Sequence, residues 1–244
     1  MSSKGWGCRI RLAEQHGRRS GRLDGVTVPP LVTHRRIALL GGAGCWVAGA
    51  LIGVHYAGRT GYGPVDDAVT RTISAIVGNP KPLGKWAVIP PTVPTRILGA
   101  FSNTVLIYAV IAAIVVFAVW RWRWTEAGLA VLAPGLCALV TEVSKLWFDR
   151  YHDGYLAYPS GHMATSAAAL TAGLLVLRPR RRILAWSVWA LVMFCTAVGL
   201  IAMNYHYPSD TVGGFLLALG VVFPGAVLVD RFDATRRATD MAAA

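Results

Sequence analysis

Residues 105–119 read Val-Leu-Ile-Tyr-Ala-Val-Ile-Ala-Ala-Ile-Val-Val-Phe-Ala-Val, with no charge and no glycine or proline. A helix crossing a hydrocarbon core of roughly 30 Å needs about 20 apolar residues. Extended from Phe101 to Trp120, this stretch meets that demand. Working outward, comparable stretches run over Ile37–Tyr56, about Glu126–Leu146, Ser160–Leu177, Ile183–Met203 and about Asp210–Val229. The reading is an all-α membrane protein with six transmembrane helices within residues 37–230.

Composition agrees. Of 244 residues, 55% are hydrophobic and 15% charged, with a mean hydropathy of +0.49. Soluble domains carry about 25% charged residues, which excludes an ordinary cytosolic enzyme. The apolar content likewise excludes a disordered chain. The charge is lopsided, with 24 Lys and Arg against 12 Asp and Glu. Most of these cations fall on one side of a six-span layout. Lys4, Arg9, Arg11, Arg18, Arg19, Arg22, Arg35 and Arg36 precede the first span. Arg121 and Arg123 follow the second, Arg178, Arg180, Arg181 and Arg182 the fourth, and Arg231, Arg236 and Arg237 the sixth. The positive-inside rule then places both termini in the cytoplasm, N-in and C-in. Residues 1–36 read as a basic, disordered cytoplasmic tail, and residues 231–244 as a short one.

Trp120, Trp122 and Trp124 alternate with arginines at the inner end of the second span. There they read as an interfacial aromatic belt, so membrane lipid and not nucleic acid is the expected partner. Cys8, Cys45, Cys137 and Cys195 form neither a disulfide framework nor a CxxC metal site. The outer connection, about residues 57–100, holds Val65, Val69, Ile73 and Ile76 on one helical face. A short outer amphipathic helix is expected there, ended by Pro80, Pro82, Pro90, Pro91 and Pro94. Pro134 and Pro224 fall inside spans and are expected to kink them.

The polar residues at the outer helix ends carry the chemistry. Lys145 and Arg150 end the third span, Tyr158-Pro159-Ser160-Gly161-His162 opens the fourth, and His206-Tyr207-Pro208-Ser209-Asp210 leads into the sixth. Ser160 is a natural N-cap, which aims the amides around Gly161 and His162 outward as an anion site. Lys145 and Arg150 add positive charge, Arg with a fork for two oxygens. Asp210, four residues after His206, can orient its imidazole and leave the other nitrogen nucleophilic. His162 supplies a second imidazole able to protonate a leaving alkoxide. A nucleophile, an orienting carboxylate, an acid and an oxyanion cradle fit phosphoryl transfer without a metal.

These segments resemble the three signature motifs of the type 2 phosphatidic acid phosphatase (PAP2) superfamily, membrane lipid phosphatases with a six-helix core. The second motif stands intact as Pro159-Ser160-Gly161-His162. His206 and Asp210 match the end of the third, and Lys145 and Arg150 match the first. The resemblance implies a phosphohistidine mechanism: His206 attacks phosphorus, Asp210 orients it, and His162 protonates the leaving oxygen. Lys145, Arg150 and the amides at Ser160 and Gly161 would hold phosphate. Neither metal nor other cofactor is implied. Two positions depart from the pattern. The first motif's terminal Arg-Pro is here His152-Asp153, and the third motif's initial Ser-Arg is Gly199-Leu200. A protonated His152 could replace one missing arginine. The implied substrate is a lipid phosphate at the outer face of a bacterial cytoplasmic membrane. It would be a polyprenyl (di)phosphate, as for the undecaprenyl-diphosphate phosphatases of cell-wall lipid recycling, or a phospholipid-type monoester. A degenerate member that binds or translocates lipid phosphate without hydrolysis is the alternative.

Overall fold

A computed structural model describes residues 30–77 and 92–243. The tail before Pro30, and Pro80, Pro82, Pro90 and Pro91, lie outside the described residues. In chain order the helices are α1 (Arg35–Tyr56), α2 (Pro64–Val77), α3 (Val93–Leu98), α4 (Thr104–Trp120), α5 (Trp124–Phe148), α6 (Gly161–Leu177), α7 (Arg182–Ala202) and α8 (Pro208–Ala242). Each expected apolar stretch is thus a helix. By length and composition, α1, α5, α7 and α8 suffice to cross a membrane, whereas α4 and α6 are apolar but 17 residues long.

Local chemistry sets the helix ends. Asn103 caps α4 by accepting the Leu106 amide at 3.1 Å. Ser160 caps α6 by accepting that of Met163 at 3.3 Å. Helices α5 and α6 stop where Asp149 and Arg178 turn left-handed, at φ 47° and 49°. At the start of α8, Pro208 needs no amide partner, and the Asp210 carboxylate accepts the Tyr207 amide at 3.0 Å.

Several boundaries differ from expectation. Helix α1 begins at Arg35, and the residues just before it are pinned: the Leu31 and Val32 amides donate to the Asp230 carboxylate at 2.7 and 3.0 Å. The expected tail after residue 230 is helical to Ala242, because no glycine or proline interrupts residues 226–242. Pro134 and Pro224 lie within α5 and α8. Pro94 opens α3 and does not break a helix, a role suited to a residue without an amide hydrogen.

Helix α2 forms where its periodicity predicts, but it is turned over relative to a soluble amphipathic helix. Asp66 and Thr70 are buried, while Val65 and Ile76 are exposed. An apolar face directed away from the protein is the arrangement of a helix lying on lipid.

The core forms around α6. Ala164, Ala167, Ala168 and Ala172 are buried in one cluster with residues of α5, α7 and α8. Their small side chains let the helix axes approach closely. At the opposite end from Ser160, Glu126 is buried between Arg123 and Arg178. Arg178, expected as a topology signal, is therefore also part of an ion pair joining α5 to α6.

Gly199 and Leu200 have a packing role in α7. A Cβ on Gly199 would stand 2.6 Å from the Gly99 Cα, so only glycine admits the segment after α3. Leu200 is fully buried in the core cluster. An arginine at this place would be an unpaired buried charge, costing about 3 kcal/mol or more. Leu200→Arg is therefore expected to lower the thermal unfolding midpoint of the purified protein by several degrees, with no gain in any activity.

Candidate active site

The C-terminal half of α5, the N-terminal ends of α4 and α6 and the loop leading into α8 meet around a cavity of about 310 Å³. Glu142, Lys145, Gly161, His162 and His206 line it, together with Ser102, Thr104 and Tyr155. The His162 and His206 rings stand across from one another, with centroids 5.9 Å apart. The cap at Ser160 leaves the first amides of α6 at this cavity's edge.

Backbone contact locks the two histidine-bearing segments together. The Ser160 amide donates to the Asp210 carbonyl at 3.0 Å. Gly214, one turn further along α8, sits so close that a Cβ would collide with the Ser160 carbonyl.

Asp210 is fully buried behind His206. Its Oδ2 lies 3.8 Å from His206 Nδ1, within ion-pair range but beyond a hydrogen bond. His206 Nδ1 has no hydrogen-bond partner. The two carboxylate oxygens are used elsewhere: Oδ2 by the Tyr207 amide, Oδ1 by Arg150 Nη1 at 2.6 Å.

Arg150 departs most from expectation. Its side chain is 0% exposed and does not line the cavity. Nη1 donates to Asp210 and to Ser209 Oγ at 2.7 Å, while Nη2 donates to Asp66 Oδ2 at 2.7 Å. Ser209 closes the ring, its hydroxyl and amide donating to Asp66 at 2.8 and 2.9 Å. The guanidinium lies over the rings of Tyr56 and Tyr207, 4.2 and 4.4 Å from their centroids. Two carboxylates and two aromatic faces thus hold the cation that spacing had assigned to phosphate.

His152 is also away from the cavity. It sits on a hairpin of Tyr151–His152 paired with Tyr155–Leu156. Asp153 and Gly154 form the turn, at φ 46° and 90°, the conformation that Asp-Gly favours between two strands. His152 is buried, and its Nε2–H donates to the Asn204 carbonyl at 2.8 Å. Burial pushes its pKa below the ordinary histidine value, which opposes service as a replacement cation. Tyr155 donates to the Tyr205 carbonyl at 2.8 Å, and Tyr62 to Asn204 Oδ1 at 2.6 Å. The hairpin and the segment before α2 therefore brace the loop that carries His206.

Of the residues singled out from sequence, Lys145, Gly161, His162 and His206 share the cavity. Ser160 and Asp210 support it from behind, and Arg150 and His152 are structural neighbours of that support. Sequence reasoning missed Glu142 and Asp66. Glu142 stands three residues before Lys145, helical spacing for an ion pair, and the two meet at 2.7 Å. Asp66 lay on the expected amphipathic helix, but nothing in its spacing tied it to Arg150.

Residues 138–233 match the family model of the PAP2 superfamily. This segment holds Lys145 and both cavity-lining histidines, His162 and His206. The fold is similar to the crystal structure of a transmembrane PAP2-type phosphatidylglycerolphosphate phosphatase from Bacillus subtilis. The TM-score is 0.58 and the identity 18%, over 80% of this chain and 96% of that one. No curated protein matches the chain.

Removing Arg150 leaves two buried carboxylates facing each other, and breaking such a pair costs about 3–5 kcal/mol. Arg150→Met is expected to lower thermal stability sharply, and with it the amount of folded protein on size exclusion. Arg59→Met, an exposed control on the same side, is expected to leave both unchanged.

Proposed function

We propose that this chain is a membrane phosphatase that removes phosphate from a lipid phosphate through a phosphohistidine intermediate. The observation that carries the proposal is the facing pair of imidazoles, His162 and His206, across a cavity that also receives Lys145 and the N-terminus of α6. His206 attacks phosphorus, forming a P–N bond as the P–O bond to the lipid breaks. His162 gives its proton to the departing lipid oxygen. It then takes a proton from water, whose oxygen attacks the phosphorus and releases inorganic phosphate and free His206. Asp210 behind His206 favours the positive charge that develops on that ring, at 3.8 Å and without a hydrogen bond in the resting state. Lys145 and the first amides of α6 hold the non-bridging oxygens.

A six-span, N-in/C-in layout puts the cavity on the outer face. The helix ends bearing Arg123 and Arg178 lie at the opposite end of the bundle from Ser160, which supports that orientation. The substrate class is a polyprenyl phosphate or diphosphate, or a phospholipid-type monoester.

A second reading, lipid-phosphate binding without hydrolysis, is favoured by one observation. Among the described residues lining the cavity, Lys145 is the single Lys or Arg, and Glu142 already pairs with it. Phosphate release by purified protein from a panel of lipid phosphates, with and without chelator, separates the two. Chelator-resistant release is expected, abolished in His206→Ala and reduced about 100-fold or more in His162→Ala. Equal release by wild type and His206→Ala would eliminate the hydrolase reading.

A further inference from the structure

The cavity contains an anion of its own. Glu142 Oε1 lies 2.7 Å from Lys145 Nζ. It is also 3.8 Å from where a Cβ on Gly161 would stand, beside the first residue of α6. A carboxylate therefore occupies the margin of the place where the helix N-terminus would receive phosphate.

Among the described residues, no Lys or Arg other than Lys145 lines the cavity, the exposed Arg96 of α3 included. Arg150 is enclosed by Asp66 and Asp210. Arg71 pairs with Asp67 at 2.9 Å, and Arg59 lies near the Tyr56 ring. His152 is buried away from the cavity, and Leu200 stands where the family pattern places an arginine. The formal charge of the Lys145–Glu142 pair is zero. Among the described residues, what remains for an anion is the partial charge of the α6 N-terminus, worth about half an elementary charge, and the imidazoles of the wall.

Resting on the hydrolase reading above, we infer that Glu142 is a specificity-determining residue that makes this cavity select lipid phosphate monoesters over diphosphates. A monoester brings about two negative charges. One oxygen set fits Lys145 and the α6 amides. A diphosphate carries roughly one charge more, on a second phosphoryl group, and among the described residues lining the cavity that group meets no further cation and has a carboxylate at hand. Like charges brought together are a common device for rejecting the wrong ligand. Glu142 suits this role because its side chain is 68% exposed, so the fold does not depend on it.

The test compares wild type and Glu142→Gln, purified as the full chain, on a lipid alcohol monophosphate and the diphosphate of the same alcohol. Wild type is expected to favour the monophosphate in kcat/KM. Glu142→Gln is expected to raise kcat/KM for the diphosphate about tenfold more than for the monophosphate, mainly through KM. An unchanged ratio between the two substrates, or a wild-type preference for the diphosphate, would overturn the inference. If neither lipid is hydrolysed, the hydrolase reading fails by itself, and binding of inorganic phosphate and pyrophosphate decides the charge argument. Selective tightening of pyrophosphate in Glu142→Gln supports it, and equal changes for both anions overturn it.

Discussion

The site depends on one buried cation. Arg150 comes from the loop after α5, Asp66 from α2, and Ser209 and Asp210 from the start of α8. A lone charge in this position would be untenable, since burying an ion without a partner costs several kcal/mol. The guanidinium therefore keeps α2 and α8 against the end of α5 as a condition of its own burial. That arrangement fixes the Asp210 carboxylate, and the Ser160–Asp210 backbone bond carries the constraint to the start of α6. The facing of His162 and His206 is a consequence of that frame and not of contact between the two rings alone. Stability and chemistry are coupled here through a residue that never reaches the cavity.

The helical framework was legible in the sequence because it obeys a solvent rule. Long apolar runs can only be satisfied as helices in lipid, and each such run from Ile37 to Val229 is helical. Ser160 as a cap, Lys145 at the cavity and the pairing of His162 with His206 follow from residue type and position at helix ends. What spacing does not contain is the direction of a side chain after a helix has stopped. Arg150 lies just beyond the left-handed turn at Asp149, so its fork could not be aimed from periodicity. It turned inward because Asp66 is there, on an element far away in sequence. The same limit hid the outward apolar face of α2: the pattern shows that a helix has two faces, not which one meets the protein.

The two departures from the superfamily's motifs have different structural settings. Gly199-Leu200 is absorbed into packing, the glycine by close approach to Gly99 and the leucine by the core around α6. His152 is absorbed into a hairpin whose signal, Asp153-Gly154, was present in the sequence and is as direct as any short turn signal. Neither position leaves a vacancy into which an arginine would simply return. Among the described residues the cavity is thus poor in cations, with a neutral Lys145–Glu142 pair, a helix N-terminus and two imidazoles as its recognition elements.

The central claim is that His206 becomes covalently phosphorylated during turnover. A rapid-quench experiment with a radiolabelled lipid phosphate, stopped in alkali and followed by peptide mass spectrometry, tests it directly. The account predicts a transient, acid-labile and alkali-stable phosphoryl group on the peptide containing His206, absent in His206→Ala. Phosphate release with no such adduct, or an adduct on another residue, would contradict it.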